Sequence, residues 1–126
     1  MPTEIRLLAY SAILTLLMIL VASFLKAGGD IQIMFGNREA LPQQSPMAGR
    51  AQRAASNMLE NMVLFVAVTL VALHAANHDR VVLGARLFFW ARVAYFPIYL
   101  FGVTYVRTAL WTTGAVGMGL MLSAAL

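Results

Sequence analysis

The chain contains no cysteine, which excludes a disulfide framework, a thiolate zinc site and a cysteine nucleophile of the protein's own. Any thiol chemistry has to use a thiol carried by a ligand. Charge is scarce too: 11% of residues are charged against 61% hydrophobic, far from the composition of a soluble domain. Short alternating apolar runs of the sandwich or barrel kind are also missing. The apolar residues come in long blocks, so the bilayer supplies most of their burial. Acids are scarcer than bases, five against nine, for a net charge of +4. The basic residues form no cluster interleaved with stacking aromatics, so no nucleic acid is expected as a partner. They read as membrane-orientation charge plus a site for an anion.

What is present predicts an all-α fold, an integral membrane four-helix bundle forming a single domain over 1–126, with helices at about 5–27, 49–76, 80–101 and 106–125 and a loop at 28–48. The stretch from Leu7 to Leu25 is uncharged between Arg6 and Lys26, roughly 28 Å of helix at 1.5 Å per residue, enough to cross a bilayer core. It is too long for a signal-peptide core and lacks a small-residue cleavage site, so it is expected to stay as an anchor. Gly28, Gly29, Gly36, Pro42 and Pro46 mark the following loop, although Ile31 to Phe35 is apolar enough to prolong the first helix. The second helix opens with a polar segment from Arg50 to Asn61 and is apolar from Met62. The short link around His78, Asp79 and Arg80 makes the second and third helices antiparallel neighbours, with Asp79 as the expected cap of the third. Lys26, Arg38, Arg50, Arg53 and Arg107 fall on one side of the membrane and Arg6 and Arg80 on the other. By the positive-inside bias, both termini face away from the cytoplasm.

Arg53, Asn57 and Glu60 fall at i, i+4 and i+7 on the second helix, with Arg50 one turn earlier, so they share one face. Arg92, Tyr95 and Tyr99 form a matching stripe on the third helix at i, i+3 and i+7, and Arg107 follows. An ionised side chain facing lipid costs roughly 2.5–3.5 kcal/mol on insertion scales, so the two stripes are expected to face the bundle interior and satisfy one another. Two readings stand side by side. In the first, Glu60 and Arg92 form a buried ion pair, the tyrosines are interface anchors, and Arg50 and Arg53 are loop charges. In the second, Arg38, Arg50, Arg53, Arg92 and Arg107 converge against Glu60, the only carboxylate expected inside the helices, and form a site for an anionic ligand. Arginine forks carboxylates, and Asn or Glu can take an amide or amino group of the same ligand.

The stretch 50–65, RAQRAASNMLENMVLF, resembles the signature of the MAPEG family, the membrane-associated proteins of eicosanoid and glutathione metabolism. The resemblance extends to GNRE at 36–39, FWARVAYFPIY at 89–99, Gly102, and RTALW at 107–111, which are similar to the bacterial branch. It implies a homotrimer in a bacterial inner membrane, in contact with membrane lipid, with glutathione as co-substrate bound between subunits near the cytoplasmic side. By position, Arg38, Arg53, Asn57, Glu60, Tyr95 and Tyr99 would bind glutathione, Arg92 would be a structural partner of Glu60, and Arg107 would be the catalytic residue that stabilises the thiolate. The implied activity is that of a glutathione transferase or peroxidase acting on a lipophilic small-molecule substrate; the alternative is a non-catalytic lipid-binding or scaffold member. Asn61 stands where some eicosanoid-forming members have Tyr, and Thr108 where a prostaglandin-forming member has Ser.

Other features carry less. His74 and His78 have the i, i+4 spacing of zinc ligands, but without a Glu between them or a third ligand nearby they read as interfacial residues. Pro97 frees a backbone carbonyl and is expected to bend the third helix beside the tyrosines. Gly114, Ala115, Gly117 and Gly119 allow a close helix approach, and the methionines read as core filler.

Overall fold

The computed structural model describes residues 1–37 and 39–126, so Arg38, one of the expected binding residues, lies outside the described residues. The described residues form five helices: α1 (Thr3–Lys26), α2 (Ile31–Phe35), α3 (Pro46–Ala72), α4 (His78–Leu100) and α5 (Thr104–Ala125). All but α2 are long and apolar enough to span a membrane. The chain is an all-helical integral membrane protein built as a four-helix bundle.

Local chemistry fixes the helix ends. α1 stops at Gly28, whose φ of 66° is a left-handed conformation. Gly28 N donates to Leu25 O and Gly29 N to Phe24 O, a closure that satisfies the last carbonyls of the helix. Ile31 to Phe35 therefore does not prolong the first helix. It restarts as the separate α2, capped by the Asp30 carboxylate, which accepts from Gln32 N at 2.9 Å. α3 begins earlier than expected because Ser45 Oγ accepts from Ala48 N at 3.1 Å, while Pro46 fills the first helical position, where its missing N–H costs nothing. It ends at Ala72 rather than near 76. α4 is capped by Asn77, whose Oδ1 accepts from Arg80 N at 3.1 Å. The expected cap, Asp79, lies inside the first turn instead, where its charge complements the helix dipole.

α4 lies most closely along α5 and α1 along α3, while α1 and α5 do not touch. α3 and α4 contact each other and both outer helices, so they form the central diagonal of the bundle. Between them the rings of Phe65 and Phe88 stack at 4.0 Å and 25°, flanked by the fully buried Met18, Met58 and Met121. α4 and α5 approach through Gly84 and Gly117: a Cβ on either would collide with the carbonyl of the other. Gly119, expected to share in close packing, faces open space. The partner of Gly117 is Gly84, which the pattern on α5 alone does not reveal.

Leu16, Leu17, Leu20, Val63, Leu64, Leu70 and Leu83 are exposed, as suits a surface whose solvent is lipid. Thr15 and Thr113 hide their polarity by donating to the carbonyl one turn back, Ser11 O at 2.7 Å and Ala109 O at 2.8 Å, so these two hydroxyls are satisfied within their own helices. Glu60 is not the only carboxylate inside the helices. α1 starts at Thr3, so Glu4 enters its first turn, where it is 3% exposed and lies 3.7 Å from His78 Nδ1.

Candidate functional site

The polar stripes meet at the end of the bundle where α3 begins, α4 ends and α5 begins. Two adjoining clefts open there. The larger, about 470 Å³, is lined by Gln52, Arg53, Ser56, Asn57, Glu60, Tyr95 and Tyr99. The smaller, about 290 Å³, is lined by Asn57, Tyr95, Tyr99, Arg107, Thr108 and Trp111. Asn57, Tyr95 and Tyr99 line both and form the ridge between them. Every described residue of the expected binding and catalytic set, Arg53, Asn57, Glu60, Tyr95, Tyr99 and Arg107, thus borders one cleft or the other. Helical spacing on α3 and α4 aligns the first five, and the tight turn at Gly102 (φ 75°) brings Arg107 back over the end of α4.

A ladder of two tyrosines between two arginines runs along α4 and onto α5. The Arg92 guanidinium carbon lies 4.0 Å from the Tyr95 ring centroid. Tyr95 and Tyr99 are 5.4 Å apart and tilted by 58°, and Arg107 stands 4.6 Å over the Tyr99 ring. A cation is attracted to an aromatic face at such distances. The contact holds Arg107 by its flat face and consumes none of its N–H donors. Among the described residues the Arg107 side chain has no hydrogen-bond or ion-pair partner, and the same is true of Arg53 and Glu60, both exposed on α3. A free guanidinium and a free carboxylate on one stripe suit a ligand that carries both a carboxylate and an ammonium group.

Two expectations are corrected. Arg92 does not pair with Glu60. It is 1% exposed, and it donates from Nη2 to Asn57 Oδ1 at 2.9 Å and from Nε to Met58 Sδ at 3.3 Å. The register of α4 against α3 sets Asn57 and Met58 opposite Arg92, while Glu60 points outward. Arg50 does not join the anion site either: its Nε donates to Leu100 O at 2.7 Å, so it caps the C-terminal end of α4, where carbonyls are unpaired and the dipole is negative.

Gln52, Ser56 and Trp111 line the clefts without having been singled out as site residues. Gln52 and Ser56 border the Arg53–Glu60 stripe one turn apart, and Trp111 is one turn beyond Arg107, so helical spacing contained the signal. Asn61, one turn beyond Asn57, shares that face by spacing, but its role depends on packing. It is 7% exposed and turned back on its own helix, with Nδ2 2.8 Å from Asn57 O and 3.3 Å from Asn57 Oδ1. Thr108 keeps its hydroxyl on the carbonyl of Thr104 at 3.2 Å, which leaves the oxygen free to accept.

Compared with known proteins, residues 7–126 match the family model described as MAPEG family. No curated protein matches the chain.

Proposed function

The chain belongs to the MAPEG family, membrane proteins of glutathione and lipid metabolism, and on that premise we propose that it is a glutathione-dependent transferase or peroxidase acting on lipophilic electrophiles. The observation that carries this reading is that the two clefts share one wall, Asn57, Tyr95 and Tyr99. Arg53 and Glu60 offer opposite charges on one side of that wall, and Arg107 offers unused donors on the other. A peptide with a carboxylate and an amino group at its ends and a thiol between them suits that distribution. Glutathione would engage Arg53, Asn57, Glu60, Tyr95 and Tyr99, together with Arg38, with its sulfur toward Arg107. A guanidinium beside the sulfur favours the thiolate, the reactive form.

In the transferase reaction the thiolate sulfur attacks the electrophilic carbon, a C–S bond forms, the leaving group departs with its electron pair, and the thiol proton passes to solvent. With a hydroperoxide, two glutathione thiols reduce the O–O bond to an alcohol and water and leave as the disulfide. The apolar substrate would arrive from the bilayer past Trp111.

Arg53, Ser56 and Glu60 are exposed within a membrane-spanning helix, where lipid is a poor neighbour for charge. This supports a homotrimer in which the α3 stripe faces another copy. The basic residues gathered at the site end support a bacterial inner-membrane protein with both termini away from the cytoplasm.

The test is direct. Protein purified in detergent is expected to bind glutathione calorimetrically and to conjugate it to a generic aryl halide. Absence of binding at millimolar glutathione, with the oligomer intact, would refute the proposal. A second reading rests on a separate apolar groove of about 260 Å³ between α1 and α4, lined by Tyr10, Ile13, Leu14, Leu17, Phe89 and Val93. In that reading the protein is a non-catalytic lipid binder, and acyl-chain binding without turnover of any aryl halide or hydroperoxide is the result expected.

A further inference from the structure

Arg92 is buried with Nη1 unpartnered among the described residues, and it spends Nη2 on the side-chain oxygen of Asn57 at 2.9 Å. An arginine N–H only donates, so the atom facing it must be the amide oxygen. Asn57 therefore has a determined orientation, which an asparagine seldom reveals by itself. Asn61 adds a second donor to the same oxygen at 3.3 Å and holds the Asn57 carbonyl at 2.8 Å. Both approaches fall on the acceptor side of Asn57. Its Nδ2 group has no protein partner among the described residues, yet Asn57 lines both clefts.

We infer that Arg92 and Asn61 are positioning residues that lock the Asn57 side chain as a pure hydrogen-bond donor toward the clefts, so that the ligand atom met there is a carbonyl or carboxylate oxygen. The inference rests on the reading that glutathione occupies these clefts. It assigns Arg92 a role other than pairing with Glu60, and gives Asn61 one through its hold on Asn57. The ladder makes the lock stiffer: the Arg92 guanidinium is held over Tyr95 at 4.0 Å, so the plane that fixes Asn57 is itself fixed by a cleft wall.

Three variants and one spectrum test the lock, with glutathione as the probe. Asn57→Asp keeps the shape and lets the new carboxylate pair with Arg92, so a merely structural contact would be preserved or strengthened. A lost donor instead weakens glutathione binding by about 10- to 100-fold, the range expected when a ligand oxygen loses its partner, while the thermal midpoint in detergent holds or rises. Arg92→Met is expected to weaken binding about tenfold, with Arg92→Lys recovering part of the loss. Asn61→Ala is expected to give a smaller loss in the same direction, and its milder change of volume keeps the test available if Arg92→Met does not fold. In protein labelled with ¹⁵N-asparagine, the side-chain amide signal that disappears in Asn57→Asp should shift when glutathione is added to the wild type. Unchanged affinity in Asn57→Asp, or in a folded Asn61→Ala together with Arg92→Lys, would overturn the lock while leaving glutathione as the ligand. A wild-type protein that does not bind glutathione at millimolar concentration would overturn both readings at once, and the two failures are distinguished by that first titration.

Discussion

At the scale of single residues, Arg50 and Arg107, both at the site end of the bundle, have divided their tasks. Arg50 is a structural group: its Nε reaches the carbonyl of Leu100 at 2.7 Å, and replacing it with Ala leaves that helix end without its charged donor. Arg50→Ala is expected to lower stability by about 1–3 kcal/mol, seen as a lower thermal midpoint in detergent. Arg107 has the opposite profile, stacked on Tyr99 at 4.6 Å with its N–H groups unused. Arg107→Ala is expected to leave the fold intact and glutathione binding largely retained, and to lower the conjugation rate by about 10²-fold or more, the loss typical of removing one group that stabilises developing charge. Steady-state kinetics with the aryl halide would show the fall in kcat. The sequence made Arg53, Asn57, Glu60, Tyr95 and Tyr99 legible as stripes because helical spacing alone puts them on a face. It could not assign partners. Glu60 and Arg92 have opposite charges and matched positions, but the choice between Glu60 and Asn57, less than one turn apart, is made by the register of two helices, and register is a property of packing. The burial of Glu4 is hidden in the sequence for a different reason: it precedes the apolar run, and only a helix beginning at Thr3 carries it inside.

Among the elements, the strongest constraint is the approach of α4 to α5. Gly84 and Gly117 face each other so closely that a side chain on either meets the other's backbone, and in a bilayer such small-residue contacts are what hold helices together. Gly84→Leu is expected to force the two helices apart at a cost of about 1–3 kcal/mol, while the exposed Gly119→Ala, with nothing within reach, should be neutral. Thermal denaturation of the two variants side by side checks this. The turn between the same helices is a separate point of strain. Gly102 has a φ of 75°, and Gly102→Ala should cost about 1–2 kcal/mol and shift Arg107, so a reduced conjugation rate is expected along with reduced stability. The spans were readable from the length and hydropathy of the apolar blocks. Their ends were less so: Pro46 looks like a loop residue until it is read as a first helical position, and Ile31 to Phe35 looks like a continuation of α1 until the two glycines before it are taken as a stop. The pairing of Gly117 with Gly84 lay beyond any single-helix pattern, since one partner is on α4 among larger residues.

For the molecule as a whole, the absence of cysteine makes topology unusually easy to test. A lone cysteine at Gln43, in the loop before α3, and another at Ala76, in the link before α4, lie at opposite ends of the bundle. With termini away from the cytoplasm, an impermeant maleimide should label Ala76→Cys in intact cells and Gln43→Cys only after permeabilisation; the reverse pattern would invert the orientation. The assembly of the bundle also has a consequence for how such a protein diversifies. α5 carries Arg107, Thr108 and Trp111, does not touch α1, and is fastened chiefly along α4. The glycines of that seam are buried away from both clefts, yet their volume sets how far one wall stands from the other. Relatives with identical cleft residues would then differ in the bulk of the substrate they admit through changes at Gly84 or Gly117 alone. Comparing ligand-lining residues would miss that source of selectivity.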